Sequence, residues 1–305
     1  MKQTKLLVTL LTTSNLEALS RLVYIVTNEL LQAPSIDAEF VVVVNTLDED
    51  YWDKVLEQNY PLEVVRTWSD GSPGCGKNSC YRLLEERDHD FLSQIDGDDI
   101  LYPTFLLSME EHLRRAPFLD VLGFKTLDYV TKEGMPEQGY TFNVGDEWFA
   151  TVWGISLCKR STVEHGGPGK HPNLWTDVGG TPSQDRLLLL SRKAVGVKMT
   201  EHLLCGEDHL QSFKYLGEHQ KGNLVYYQTM SSDVYCMDWH SPNSTQKKYK
   251  DYDYLSALRE EVPKYVSEWR SSFEELPTLY IDLLFNQYDK ENWLNKLWER
   301  FYKKK

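Results

Sequence analysis

The sequence predicts an α/β fold, a mainly parallel sheet flanked by helices, and three observations carry that expectation. Residues 6–12 (Leu-Leu-Val-Thr-Leu-Leu-Thr) and 40–44 (Phe-Val-Val-Val-Val) are short apolar runs of the kind buried on both faces of a parallel sheet. Between them Leu16, Leu19, Leu22, Val23, Val26 and Leu30 recur at helical spacing. The carboxylates of Asp96-Gly97-Asp98-Asp99 follow directly on the part-apolar run 91–95. That places them beyond the carboxyl end of a strand, where open α/β sheets bind their ligands.

Each element follows in order. Met1-Lys2-Gln3-Thr4-Lys5 before the apolar run resembles a signal peptide, but the run is short and no small-residue cleavage site follows, so it reads as a strand. Thr13, Ser14 and Asn15 form a loop that caps a helix running to about Leu31. Four successive valines favour an extended backbone up to Asn45. The acidic loop Asp48-Glu49-Asp50 leads to a helix near 51–58 and a third strand at 62–65. After the acidic cluster, a helix over about 104–115 ends near Pro117, and 119–127 reads as the next strand. Residues 128–147 hold Gly134, Pro136, Gly139 and Gly145 and read as a hairpin. Leu203-Leu204 reads as a strand end before Gly206 and a helix through about Leu216. From Tyr249 the chain turns charged and aromatic, with helical stripes Tyr265, Trp269, Phe273 and Trp293, Leu294, Leu297, Trp298, Phe301.

The chemistry concentrates in the acidic turn. Carboxylates this close repel one another unless a cation sits between them. Hard oxygen ligands of this kind suit Mg²⁺ or Mn²⁺, which usually arrive with a phosphate-bearing substrate. A solvated acidic turn is the plain alternative, but it leaves the strand before the cluster and Ile100-Leu101-Tyr102-Pro103 after it unexplained. Gly71-Ser72-Pro73-Gly74-Cys75-Gly76-Lys77 opens like a phosphate-binding P-loop, yet Asn78 stands where that motif needs Ser or Thr. A ligand-free turn capping the next helix is the other reading of that segment. Trp148, Phe149, Trp153 and Trp175 lie near glycine-rich turns. Flat rings of this kind stack on the apolar faces of sugars, while a tryptophan is also an ordinary core residue. Glu207-Asp208 at a helix start gains from the helix dipole whatever else it does.

Taken in order, these motifs resemble the family 2 glycosyltransferases of GT-A fold, a Rossmann-type, nucleotide-sugar-binding architecture. Thr13-Ser14-Asn15 stands at the family's first loop, and Asn45 where the family has an Asp that contacts the base. Gly74-Cys75-Gly76-Lys77-Asn78 matches a Gly-rich loop ending in Arg-Asn, and Asp96-Gly97-Asp98 matches the metal-binding Asp-x-Asp. Gly206-Glu207-Asp208 resembles the Glu-Asp motif, and Asp238-Trp239-His240 a late His-containing loop. The resemblance covers roughly residues 5–245. It implies Asp208 as the catalytic base of an inverting, hexosyltransferase-like reaction. Asp98 and Asp96 would be the metal ligands, with His240 as a further one. Thr13, Ser14, Asn45, Lys77, Asn78 and Asp96 would bind the donor, and Glu207, Trp153 and Trp175 the acceptor. Mn²⁺ or Mg²⁺ is the implied cofactor. Because Asn45 replaces an acid, a UDP donor does not follow, and Lys77 offers a point charge where Arg offers a fork.

Composition sets matching limits. With 305 residues the chain suits a catalytic domain over 1–245, its donor half about 1–103 and acceptor half about 104–245, followed by a helical extension over 246–305. A net charge of −13 argues against nucleic acid as partner. No apolar stretch is long enough to span a membrane. Five cysteines at 75, 80, 158, 205 and 236 lack metal-ligand spacing and read as reduced thiols of a cytoplasmic protein. The tail stripes pack on the catalytic domain or on another subunit of a homo-oligomer. Alternatively, the last helix lies at the inner face of an anionic membrane that carries a lipid-linked acceptor. The expected activity is transfer from a nucleotide-sugar donor to a glycan or other hydroxyl acceptor. The alternatives are a non-catalytic nucleotide-sugar or glycan-binding protein of the same fold, a sugar nucleotidyltransferase and a P-loop nucleotide hydrolase.

Overall fold

A computed structural model describes residues 3–124, 187–201, 203–204, 206–229, 254–266 and 276–279, and the backbone of strands at 128–132, 141–143, 155–159, 162–164 and 235–238. Strands β1 (Thr4–Thr12), β2 (Ile36–Val44), β3 (Glu63–Arg66) and β4 (Phe91–Asp96) are parallel neighbours in the order β3-β2-β1-β4. Beyond β4 come β11 (Leu187–Ser191), β6 (Val121–Phe124), β12 (Tyr226–Thr229) and β14 (Thr278–Leu279). β11 runs antiparallel to both of its neighbours, and the other strands share one direction. The carboxyl ends of β1, β2, β3 and β4 therefore meet at one edge of the sheet.

The alternation of the strands divides the core. Leu6, Val8, Leu10, Val42 and Val44 face one side, under α1 (Leu16–Asn28), α2 (Glu49–Glu57) and α4 (Phe105–Arg115). Leu7, Leu11, Val41 and Val43 face the other, under α3 (Pro73–Glu86) and α5 (Glu207–Gln220). A sheet covered on both faces explains why the valine run shows no polar alternation. Each early helix starts where its cap dictates. The Asn15 side chain accepts from the Ala18 amide at 3.1 Å and Asp48 from Tyr51 at 3.3 Å. Ser72 accepts from the Cys75 amide at 3.2 Å, with Pro73 at the first helical position.

The acidic turn is a corner between two sheets. It joins β4 to β5 (Ile100–Leu101), which pairs with β13 (Tyr235–Asp238) in a second sheet of order β5-β13-β7-β9, where β7 is Asp128–Lys132 and β9 Ile155–Lys159. β8 (Thr141–Asn143) pairs with β10 (Thr162–Glu164). The expected hairpin over 128–147 is thus corrected, since β7 and β8 take different partners.

Three further expectations change. Gly74–Asn78 is no loop but the opening turns of α3, because Ser72 and Pro73 start the helix ahead of the glycines. The Cys75 amide is taken by the Ser72 hydroxyl and the Gly76 amide by the Ser72 carbonyl, so the segment does not form the open amide cradle of a P-loop. Leu203-Leu204 is not a strand end; α5 is entered through Gly206 in the left-handed region at φ 81°. Helix α1 stops at Asn28, not near Leu31.

In the tail, α6 (Tyr254–Glu261) and a 3₁₀ turn at Val262–Lys264 place Leu258, Val262 and Val266 in the second core, joined by Leu276. Pro263 lies in that turn and Tyr265 beyond it, so Tyr265 is not on a continuing helix. Trp269, Phe273 and the stripe at 293–301 lie outside the described residues. Cys75 and Cys80 are free, buried thiols. Among the described residues no helix is long and apolar enough to cross a membrane.

Candidate active site

The acidic turn is built by close backbone approach. The Gly97 amide donates to the Leu11 carbonyl at 2.6 Å. A Cβ at that position would stand 2.9 Å from the same oxygen and 3.0 Å from the Thr12 Cβ, so only glycine fits. The Asp99 amide closes the turn on the Asp96 carbonyl at 3.0 Å. Asp99 is fully buried, whereas Asp96 and Asp98 are half-buried at the mouth. A group that sequence reasoning passed over steadies the turn from behind. Arg21 of α1 is 1% exposed and its Nη2 donates to the Asp98 carbonyl at 2.9 Å. Its only sequence signal is a charge beside the apolar stripe of α1. Tyr51, also missed, shares a 2.5 Å hydrogen bond with the Thr12 hydroxyl, and burial pushes its pKa up to about 12.

The tightest electrostatic feature lies across the sheet edge. Lys77, on the second turn of α3, reaches the first turn of α5. Its Nζ stands 3.1 Å from Glu207 Oε1 and also pairs with Asp208 Oδ1. The Lys77 and Glu207 side chains are 9% and 7% exposed, and Asp208 is 24% exposed. Burial pushes the Asp208 pKa well above the ordinary carboxylate range. The Lys77 ammonium pulls it back, while Glu207 and Asp96 push it further up. Asp96 and Asp208 thus share one field although 112 positions separate them.

The remaining expected residues divide. Thr13 and Ser14 are exposed at the carboxyl end of β1, their hydroxyls 3.5 Å apart. Asn45 is 2% exposed at the end of β2. Its amide is spent on the Thr67 hydroxyl at 2.9 Å and the Trp68 carbonyl at 2.7 Å. Asn78, 3% exposed, clamps the following segment by exchanging hydrogen bonds with Met199 and donating to Glu201 at 2.8 Å. The two asparagines therefore hold the walls of the site. Trp153, Trp175 and His240 lie outside the described residues.

Among the described residues no three His, Cys, Asp or Glu side chains converge closely enough to hold a metal by themselves. Asp96 and Asp98, partly accessible at the mouth, are hard oxygen donors of the kind a divalent cation takes.

No family model matches the sequence, and no curated protein matches it. Solved structures do match by fold. S. aureus TarS 1-349 in complex with UDP-GlcNAc aligns with a TM-score of 0.51 at 15% identity, over 88% of this chain and 69% of that one. A second structure of TarS 1-349 gives 0.46 at 17% identity, and the complex with UDP 0.45 at 16%. These two alignments cover 77% and 78% of this chain, which spans 60% of the length of either TarS chain. An eight-stranded, mostly parallel sheet flanked by helices, with its acidic turn at the carboxyl edge, is the GT-A type of α/β fold.

Proposed function

We propose that this protein is a metal-dependent, inverting glycosyltransferase that moves a sugar from a nucleotide-sugar donor to a glycan or other hydroxyl acceptor. The observation that carries the reading is the meeting of two distinct carboxylate groups at one sheet edge: the Asp96–Asp98 turn and the Glu207–Asp208 helix start, coupled electrostatically and with Lys77 held between the latter pair. A nucleotide-sugar on the same fold in TarS supports the donor class. A pure binding protein has no need of a second, proton-hungry carboxylate.

Asp96 and Asp98 would hold Mn²⁺ or Mg²⁺ at the donor diphosphate, and the ion would supply charge stabilisation to the leaving group. Asp208 accepts the proton of the acceptor hydroxyl as that oxygen attacks the anomeric carbon, which inverts the centre. Burial strengthens its hold on a proton, and Lys77 keeps enough of it ionised to act near neutral pH. Glu207 holds Lys77 in place.

The test is Asp208→Asn with a panel of UDP-, GDP- and dTDP-sugars and Mn²⁺. Thermal shift reports donor binding, and product analysis reports transfer. Binding should survive while transfer falls about a hundred- to ten-thousand-fold. Wild-type transfer by the variant, or a product that retains the donor's configuration, would overturn the assignment.

A further inference from the structure

Leu47 and Trp68 are the most exposed of the large apolar side chains described, at 69% and 71%. They stand on the loops that follow β2 and β3, at the same edge as the acidic turn. The loops touch: Leu47 Cδ1 lies 3.5 Å from where a Cβ would stand on Gly71. The Trp68 backbone is pinned from below by Asn45 Nδ2 at 2.7 Å and by the Cys75 thiol at 3.5 Å. An indole on a braced backbone that still faces water is placed to meet a ligand, because ordinary folding favours burying it.

The same contacts decide what kind of ligand. A carbonyl only accepts, so the Asn45 end that meets Trp68 must be its NH₂. The Asn45 carbonyl oxygen faces Gly76, one residue before Lys77, 3.3 Å from where a Cβ would stand there. The Asn45 amide nitrogen is therefore spent on the protein, while the Trp68 ring stays in water at this edge. Aromatic stacking tolerates any base, since every base has a π-face.

Resting on the donor reading above, we propose that Trp68 is the platform on which the donor's nucleobase stacks, and that the protein accepts purine and pyrimidine diphosphates with little discrimination. Asn45 supports the platform from within through its amide nitrogen.

Titration calorimetry with UDP, GDP, ADP and inorganic pyrophosphate, each with Mg²⁺, tests this on the full chain. The wild type should bind the three nucleotides within about ten-fold of one another. Trp68→Ala should weaken all three about ten-fold and leave pyrophosphate unchanged, and Trp68→Phe should recover most of the loss. An exposed position makes both variants safe to fold, which their melting temperatures verify. Discrimination of one base by about a hundred-fold, or nucleotide binding indifferent to Trp68→Ala, would overturn the platform alone. Failure of the wild type to bind any of the three would overturn the platform together with the donor reading.

Discussion

Replacing Lys77 by Met tests the electrostatic heart of the site without needing a substrate. Methionine keeps the length and helix propensity of lysine but removes the ammonium that lies 3.1 Å from Glu207 and against Asp208. At that separation and an effective dielectric constant of about 20, one unit pair attracts by about 5 kcal/mol. Breaking a buried pair from one side costs about 3–5 kcal/mol in practice, since the orphaned carboxylate stays desolvated. The loss depends on pH. Without Lys77 nothing offsets the burial that already raises the Asp208 pKa, so the folded variant holds a proton that the unfolded chain releases above about pH 4. Stability of the variant is then retained at low pH and lost as pH rises. We expect a deficit of about 3–5 kcal/mol against the wild type that is flat from about pH 5 to pH 7, because Asp208 holds its proton in both folded proteins below the wild-type pKa of about 8. It grows by up to about 1.4 kcal/mol per pH unit above about pH 8, where only the wild type ionises. Urea unfolding of both proteins at each pH measures it, and subtraction cancels the other titrating groups. A deficit equal at about pH 6 and pH 9.5, or below about 1 kcal/mol at both, would refute the account.

Three other outcomes follow from the same structure. His112 is 1% exposed on α4, and burial pulls its pKa down to about 3; the unfolded chain therefore takes a proton that the folded one refuses. Stability should fall by about 2 kcal/mol between pH 7.5 and pH 5 through this group, and His112→Leu should flatten that slope in urea titrations. Gly217 of α5 faces the Tyr265 carbonyl so closely that a Cβ would overlap it. Gly217→Ala should loosen the 254–266 segment, seen as faster amide exchange there and a loss of about 1–3 kcal/mol in unfolding. If the acidic turn holds the metal, Asp98→Ala should remove Mn²⁺ binding by calorimetry while leaving the melting temperature of the metal-free protein within a few degrees.

What the sequence determined by itself was the donor-side frame. The runs at 6–12 and 40–44, the helix between them and the strand before Asp96 were legible because apolar period, cap residues and β-branched runs act over a few neighbouring residues. The start of α3 was equally legible in Ser72-Pro73, although the glycines at 74 and 76 suggested a loop. Gly74 is there for a tertiary reason: a Cβ on it would meet the Thr200 carbonyl at 2.7 Å. The antiparallel β11, inserted between β4 and β6, carries no local mark of its position, since its partners lie about a hundred and about seventy residues away in the chain. The carboxylates at 96–99 and at 207–208 announced themselves by composition. That Lys77 joins the second pair across 130 positions, that Asn45 and Asn78 face inward, and that Trp68 stays in water were decided only by the tertiary structure. Desolvation sets those roles, and how much water a side chain loses depends on what folds over it from elsewhere in the chain.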